Sequence, residues 1–225
     1  MLGRSAIFLV LALMLPAAHA EIVTFRATGT ISIVDSNDGF LPIIGRVGDA
    51  YTLDYSFDTQ TPGRSGSWYD GALTQVTLQV GASTISVPLG INDIVVANDS
   101  PSMAGMLEDF YRVQTDSVGD SLRTSLSLSL YTIGWQPTLL TGNSLSSEPP
   151  DISLARSRGF GFSVSNGPSG GLYRSDSFSG DIESLTRLTP VPVPAAAWLL
   201  VSGLVFLRRF SSPDRRPDQS TAATP

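Results

Sequence analysis

Apolar and polar residues alternate with a period of two along much of this chain. In YTLDYSFD (51–58), Tyr51, Leu53, Tyr55 and Phe57 share one face, while Thr52, Asp54, Ser56 and Asp58 share the other. Residues 121–132 set Leu122, Leu126, Leu128 and Leu130 against Arg123, Ser125, Ser127 and Ser129. Residues 74–80 place Val76, Leu78 and Val80 on one side. Weaker alternation runs through 22–34, 83–87, 110–115, 160–164 and 181–188. Successive side chains of a strand point to opposite faces, so each run predicts a strand with one face on a core and one in water. Between the runs stand turn formers: SNDG, TPGRSGS, NDSPS, SVGD and SNGPSGG. No helical stripe of useful length interrupts them. One-sided alternation suits antiparallel sheets. Many short strands with frequent turns predict an all-β fold, a two-sheet sandwich or jelly roll ahead of a barrel. The less regular segment 138–151 reads as a long surface loop or a flap over one sheet edge, with a plain connection as the favoured alternative.

Both ends depart from this pattern. Arg4 precedes an apolar run from Ala6 to Leu15, Pro16 breaks it, and Ala18-His-Ala20 offers the small-x-small pattern of a cleaved secretory signal. That predicts a signal peptide over 1–20 and a mature chain beginning at Glu21. The run is too short to span a bilayer, which takes about 20 apolar residues. At the other end, Ala195–Leu207 is apolar, entered through Val191-Pro192-Val193-Pro194 and closed by Arg208 and Arg209. It predicts a short membrane helix, with the arginines on the cytoplasmic side and the body outside. The polar tail 210–225 carries no packing pattern.

The body, 21–189, carries nine Arg against eighteen Asp and Glu, about −9 in net charge. This balance excludes a nucleic-acid partner, which needs clustered cations. There is no Cys and no Lys, and the single His is His19, inside the predicted signal. Disulfides, a Schiff-base lysine, a Ser–His–Asp triad, a Cys–His nucleophile and a histidine zinc site are therefore absent from the mature chain. A pair of carboxylates flanking a cleft, as in glycosidases, survives this filter. So does calcium, which takes oxygen ligands alone. Asp35-Ser-Asn-Asp38-Gly39 resembles the start of a calcium loop, but Gly39 stands where an oxygen ligand belongs, and a hairpin turn explains the stretch better. No other cofactor is implied. Trp68, Tyr69 and Trp135 are candidates for stacking on sugar rings, with packing at the core edge as the alternative.

The C-terminal run Val191-Pro192-Val193-Pro194, Ala195-Ala-Ala-Trp198-Leu-Leu, Ser202-Gly203-Leu204 and Arg208-Arg209 resembles a PEP-CTERM sorting signal of the type reading VPLPAAAWLL. Val193 stands where the eponymous motif has Glu, and the chain continues past the arginines. The body, with TGTISIVD and VGDAYTLDYSFDTQTPG, is more loosely similar to β-rich proteins bearing this signal. The resemblance implies a Gram-negative source, export through the secretory translocon and signal peptidase, and transient residence in the inner membrane. It also implies recognition of Val191–Pro194 by an exosortase, with release to the cell surface or the extracellular matrix. The expectation is thus a non-enzymatic exported protein. A module binding exopolysaccharide is the first alternative and a carboxylate hydrolase the second.

Overall fold

The computed structural model describes residues 21–36, 38–102, 105–119, 122–135, 138–166 and 174–188. The chain divides into two units, Met1–Thr189 and Pro190–Pro225. All described residues belong to the first. The signal segment with Ala18 and Ala20, and the sorting segment with Val191–Pro194, Arg208, Arg209 and its short helix, lie outside the described residues, as does the 210–225 tail.

Ten strands form the body: β1 (Ile22–Asp35), β2 (Ala50–Asp58), β3 (Trp68–Asp70), β4 (Leu73–Val80), β5 (Ser83–Ser86), β6 (Ile91–Pro101), β7 (Leu107–Val118), β8 (Leu122–Gly134), β9 (Ser157–Asn166) and β10 (Ser175–Leu188). The only helical turn among the described residues is a 3-10 turn at Ile152–Leu154. The fold is all-β, as the alternation predicted. Every pairing is antiparallel, in the order β3-β6-β7-β8-β9-β10-β1-β2-β4-β5.

One sheet, rather than the two of the expected sandwich, contains all ten strands. It closes on itself. Val80 faces Ser83, Thr77 faces Ser86, Asp70 faces Asp93 and Trp68 faces Val95, one unbroken hairpin register. Backbone bonds from Val87 N–H to Val76 O (2.9 Å) and Gly71 N–H to Asn92 O (2.8 Å) bridge the gap between the two pairings. The outermost strands of the ladder are therefore two halves of one long hairpin, and the chain runs up and down around a flattened barrel. Tyr55 of β2 and Tyr111 of β7 join hydroxyl to hydroxyl at 3.1 Å across the interior. Tyr51 of β2 stacks on Phe160 of β9 with ring centroids 4.3 Å apart. At about 4.8 Å per strand, such pairs would lie far apart on a flat sheet. The curl brings the walls together, and the inward Leu, Phe, Tyr and Val positions fill the space between them.

Two close approaches fix the β1–β10 pairing. A Cβ on Gly29 would overlap the Asp181 carbonyl and crowd the Tyr51 ring, and one on Gly180 would overlap the Thr30 carbonyl. The register shifts between Thr28 and Gly29 at this point. Loops plug both ends. At one end the segment 38–49 sends Ile43 into the core. At the other, 138–155 lies over the floor formed by Phe25, Phe57, Val96 and Tyr111. This corrects the flap expectation in one respect: the loop covers a barrel end, not a sheet edge.

Each plug is held by a fully buried aspartate that points inward from a strand. Asp109 of β7 accepts from Asp99 N–H (2.9 Å) and Leu140 N–H (3.0 Å). Asp176 of β10 accepts from Asp38 N–H (2.9 Å) and from Phe40 N–H. Backbone amides of a loop crossing a barrel mouth have no ladder to join, so an inward carboxylate supplies the acceptors.

Candidate functional site

The outside of the barrel carries a face of two textures. Its aromatic part begins at Trp68, placed by a tight turn in which Ser65 and Gly66 take positive φ (57° and 78°) and Arg64 bridges back to Trp68. Trp68 faces Val95 on β6, Val95 faces Arg112 on β7, and Arg112 faces Ser129 on β8. The Arg112 guanidinium carbon lies 5.2 Å from the Trp68 ring centroid and 5.7 Å from that of Phe110. Its Nη2 contacts Asp93 at 3.4 Å, and its buried Nε has no hydrogen-bond partner among the described residues. Phe110 faces Tyr131, whose hydroxyl donates to Glu108 at 3.3 Å. A cation held over aromatic faces in this way is stabilised by the ring quadrupoles. Trp68 and Arg112 together cover Val95, which is buried although it points outward.

Beside this lies a field of very short side chains. Reading across β8, β9 and β10, Ser129 neighbours Gly159 and then Asp181; Ser127 neighbours Gly161 and Ser179; Ser125 neighbours Ser163 and Ser177. The two glycines are not required by the fold. A Cβ at Gly159 or Gly161 would meet only Ser129 Oγ at 3.6 Å or Ser127 Oγ at 3.5 Å, ordinary contact distances. Glycine weakens a strand, and where no neighbour demands it, it leaves room for something to approach the backbone.

Of the residues singled out from sequence, Trp68 is 37 % exposed and belongs to this face. Tyr69 does not. It is 8 % exposed, points inward, and donates its hydroxyl to the Asn143 carbonyl of the covering loop. The reason is parity: adjacent residues of a strand cannot share a face. Trp135 is 79 % exposed but follows Gly134, which faces Leu107, roughly 17 Å along β7 from Arg112. It stands apart from Trp68. Phe110, Arg112 and Tyr131 were missed by sequence reasoning, although the outward parity of 110 and 112 within the 110–115 run carried the signal.

The acidic residues are largely engaged. Asp54 holds Arg26 through both oxygens at 2.7 Å, and this bond raises the Arg26 pKa. Asp116 pairs with Arg123, Asp70 with Arg64 and Asp38 with Arg174. Arg187 links Glu21 (3.1 Å) and Glu148 (3.0 Å). No group of three or more His, Cys, Asp or Glu that would hold a metal occurs among the described residues. In the SNDG stretch, Asp38 donates its backbone N–H to Asp176 and offers its carboxylate to Arg174. That is the behaviour of a pinned turn, the reading preferred from the sequence.

At the end where Glu21 and Arg187 meet, the covering loop borders a recess of about 790 Å³. Its floor residues Phe25, Phe57, Val96 and Tyr111 are all buried. Above that buried floor the recess is about half open to solvent. No helix among the described residues is long and apolar enough to cross a membrane. Compared with family models, curated proteins and solved structures, the chain matches none.

Proposed function

We propose that this chain is an exported, non-catalytic protein of the cell surface or extracellular matrix, delivered by an exosortase-type sorting signal, whose barrel holds polysaccharide on its outer face. The observation that carries the binding half is the arrangement of Trp68, Arg112, Phe110 and Tyr131 beside the Ser/Gly field. Aromatic faces stack on sugar rings. Hydroxyls and a guanidinium, with five donors and one side-chain partner at hydrogen-bond distance, suit a polymer dense in hydroxyl groups. A field without tall side chains lets an extended polymer lie close. In architecture we read the body as two walls of one barrel packed face to face, the counterpart of the sandwich expected from sequence.

The delivery half rests on the sequence of the two ends. Its support in the fold is that the first strand begins at Ile22, one residue after the expected signal cut. The last strand ends at Leu188, three residues before Val191. Inner-membrane residence is then transient, with the signal peptidase, translocon and exosortase as processing partners. A non-catalytic role fits the engagement of the acidic residues with arginines and backbone amides.

The binding half is tested by affinity electrophoresis of the full chain in gels containing the host's own exopolysaccharide. Trp68→Ala should weaken retardation about tenfold, in line with roughly 1–3 kcal/mol for an aromatic stacking contact. Trp135→Ala should leave it unchanged. Equal retardation of wild type and Trp68→Ala would remove this face from the account.

A further inference from the structure

The hairpin that closes the barrel is displaced along it, and the displacement leaves one stretch of strand edge at each end of the ladder. The sequence treats the two differently. The β3 edge is blunted: Arg64 bridges to Trp68 and pairs with Asp70 at 3.3 Å, so a charged turn lies along it. Charge and coverage are the usual protections of an exposed edge. β5 has neither. Its only strand neighbour is β4, and Ser83, Thr84 and Ser86 are exposed. From Gly71 through Asn92 no residue is charged.

We infer that β5 is a docking edge, at which a second copy of this chain adds its own β5 antiparallel across a two-fold axis. Three observations select that partner. An antiparallel edge is complementary to itself, so an isologous pairing needs no second type of surface. The body carries nine Arg against eighteen acidic residues, so copies repel over most of their surface, and an uncharged edge is where they approach at least cost. Beside the edge stand apolar residues that a partner would cover: Ile91 is 80 % exposed and Val118 72 %. Extending the register in which Ile91 faces Asp116 sets Val118 opposite Leu89, on the line that a paired strand would follow. A foreign extended segment would need pockets to select its side chains. The exposed side chains of β5 are only hydroxyls, and self-pairing requires no such selection.

The chain has no cysteine, which makes the test clean. Single cysteines replace Ser83, Thr84 or Ser86 in the full chain, and a short bis-maleimide is added at micromolar protein. Leu154→Cys and Trp135→Cys, at exposed positions toward the other barrel end, serve as controls. Site-specific cross-linking is needed because the apolar C-terminal run can associate chains by itself. The expected result is a covalent product of twice the chain mass, formed at Thr84→Cys roughly a hundredfold faster than at the controls, as an intramolecular reaction should be. Adding Ser83→Lys and Ser86→Lys should bring Thr84→Cys down to the control rate. Equal rates at Thr84→Cys and Trp135→Cys overturn the inference, as does preferential linkage to a different protein. Trp68→Ala should not alter the cross-link, so loss of polysaccharide binding and loss of pairing are separate results.

Discussion

Asp176 directs both carboxylate oxygens at backbone amides of the loop crossing one barrel end, and Asp109 directs one at Leu140 of the loop over the other end and one at Asp99 in β6. Removing such an acceptor leaves buried N–H groups unpaired, at about 1–3 kcal/mol apiece. Asp109→Ala should therefore cost roughly 3 kcal/mol in urea unfolding. Asp109→Asn, which turns a donor toward one of the two amides, should cost about 2 kcal/mol. A loss under 0.5 kcal/mol in both would mean that the covering loop is not held this way. Both aspartates were legible in part. They occupy the inward parity of their strands, with Tyr111 and Phe178, and an acid at an inward position is a local conflict that asks for a partner. What the sequence withheld was the partner, a backbone amide contributed by a distant loop.

The buried tyrosines make a second residue-scale prediction. Burial pushes the Tyr51, Tyr55 and Tyr111 hydroxyls above their ordinary range, and for Tyr51 the nearby Asp181 and Glu183 charges add to it. The folded chain then keeps protons that the unfolded chain releases near pH 10. Stability from these groups is fully present below that pH and falls as pH rises past it. Urea midpoints should be level from about pH 7 to 9.5 and decline above about pH 10. A decline that begins near pH 8 would assign alkaline sensitivity to other groups.

Among the strands, glycine separates what the fold needs from what the face needs. Gly180→Ala drives a methyl into the Thr30 carbonyl at the β1–β10 pairing and should destabilise by more than ~2 kcal/mol. A Cβ at Gly161 meets only the Ser127 hydroxyl at 3.5 Å, and in Gly161→Val the strand gains a β-branched residue. It should be neutral or stabilising by up to about 1 kcal/mol in thermal unfolding, while weakening retardation by polysaccharide. Loss of stability in Gly161→Val would return this glycine to a structural role. Strands with strict alternation, such as β2 and β8, were readable because their inner faces are apolar at every second position. β6 was not. Ile94, Val95 and Val96 are buried in succession, since Val95 lies under Trp68 and Arg112 on the outside. Period two disappears when both faces of a strand are covered. β3 was hidden for a related reason: three residues after a Gly/Ser turn are too short a run to show a period.

At the scale of the whole molecule, composition and the two ends carried most of the readable information. An acidic β body without Cys, Lys or His limited the chemistry, and the terminal segments carry the proposed route. Closure into a barrel was not readable. It depends on β1 pairing with β10, near opposite ends of the body, and on a hairpin whose register continues across two breaks. Neither is a local property of sequence.

The central claim is that the barrel is the exported, released product of two processing events. Intact mass of the protein recovered separately from cells and from medium in the native host tests it most directly. The account predicts a species in the medium that begins at Glu21 and ends between Val191 and Ala195. A single membrane-bound species that retains everything through Pro225, with none in the medium, would contradict it and reduce the C-terminal segment to a short anchor.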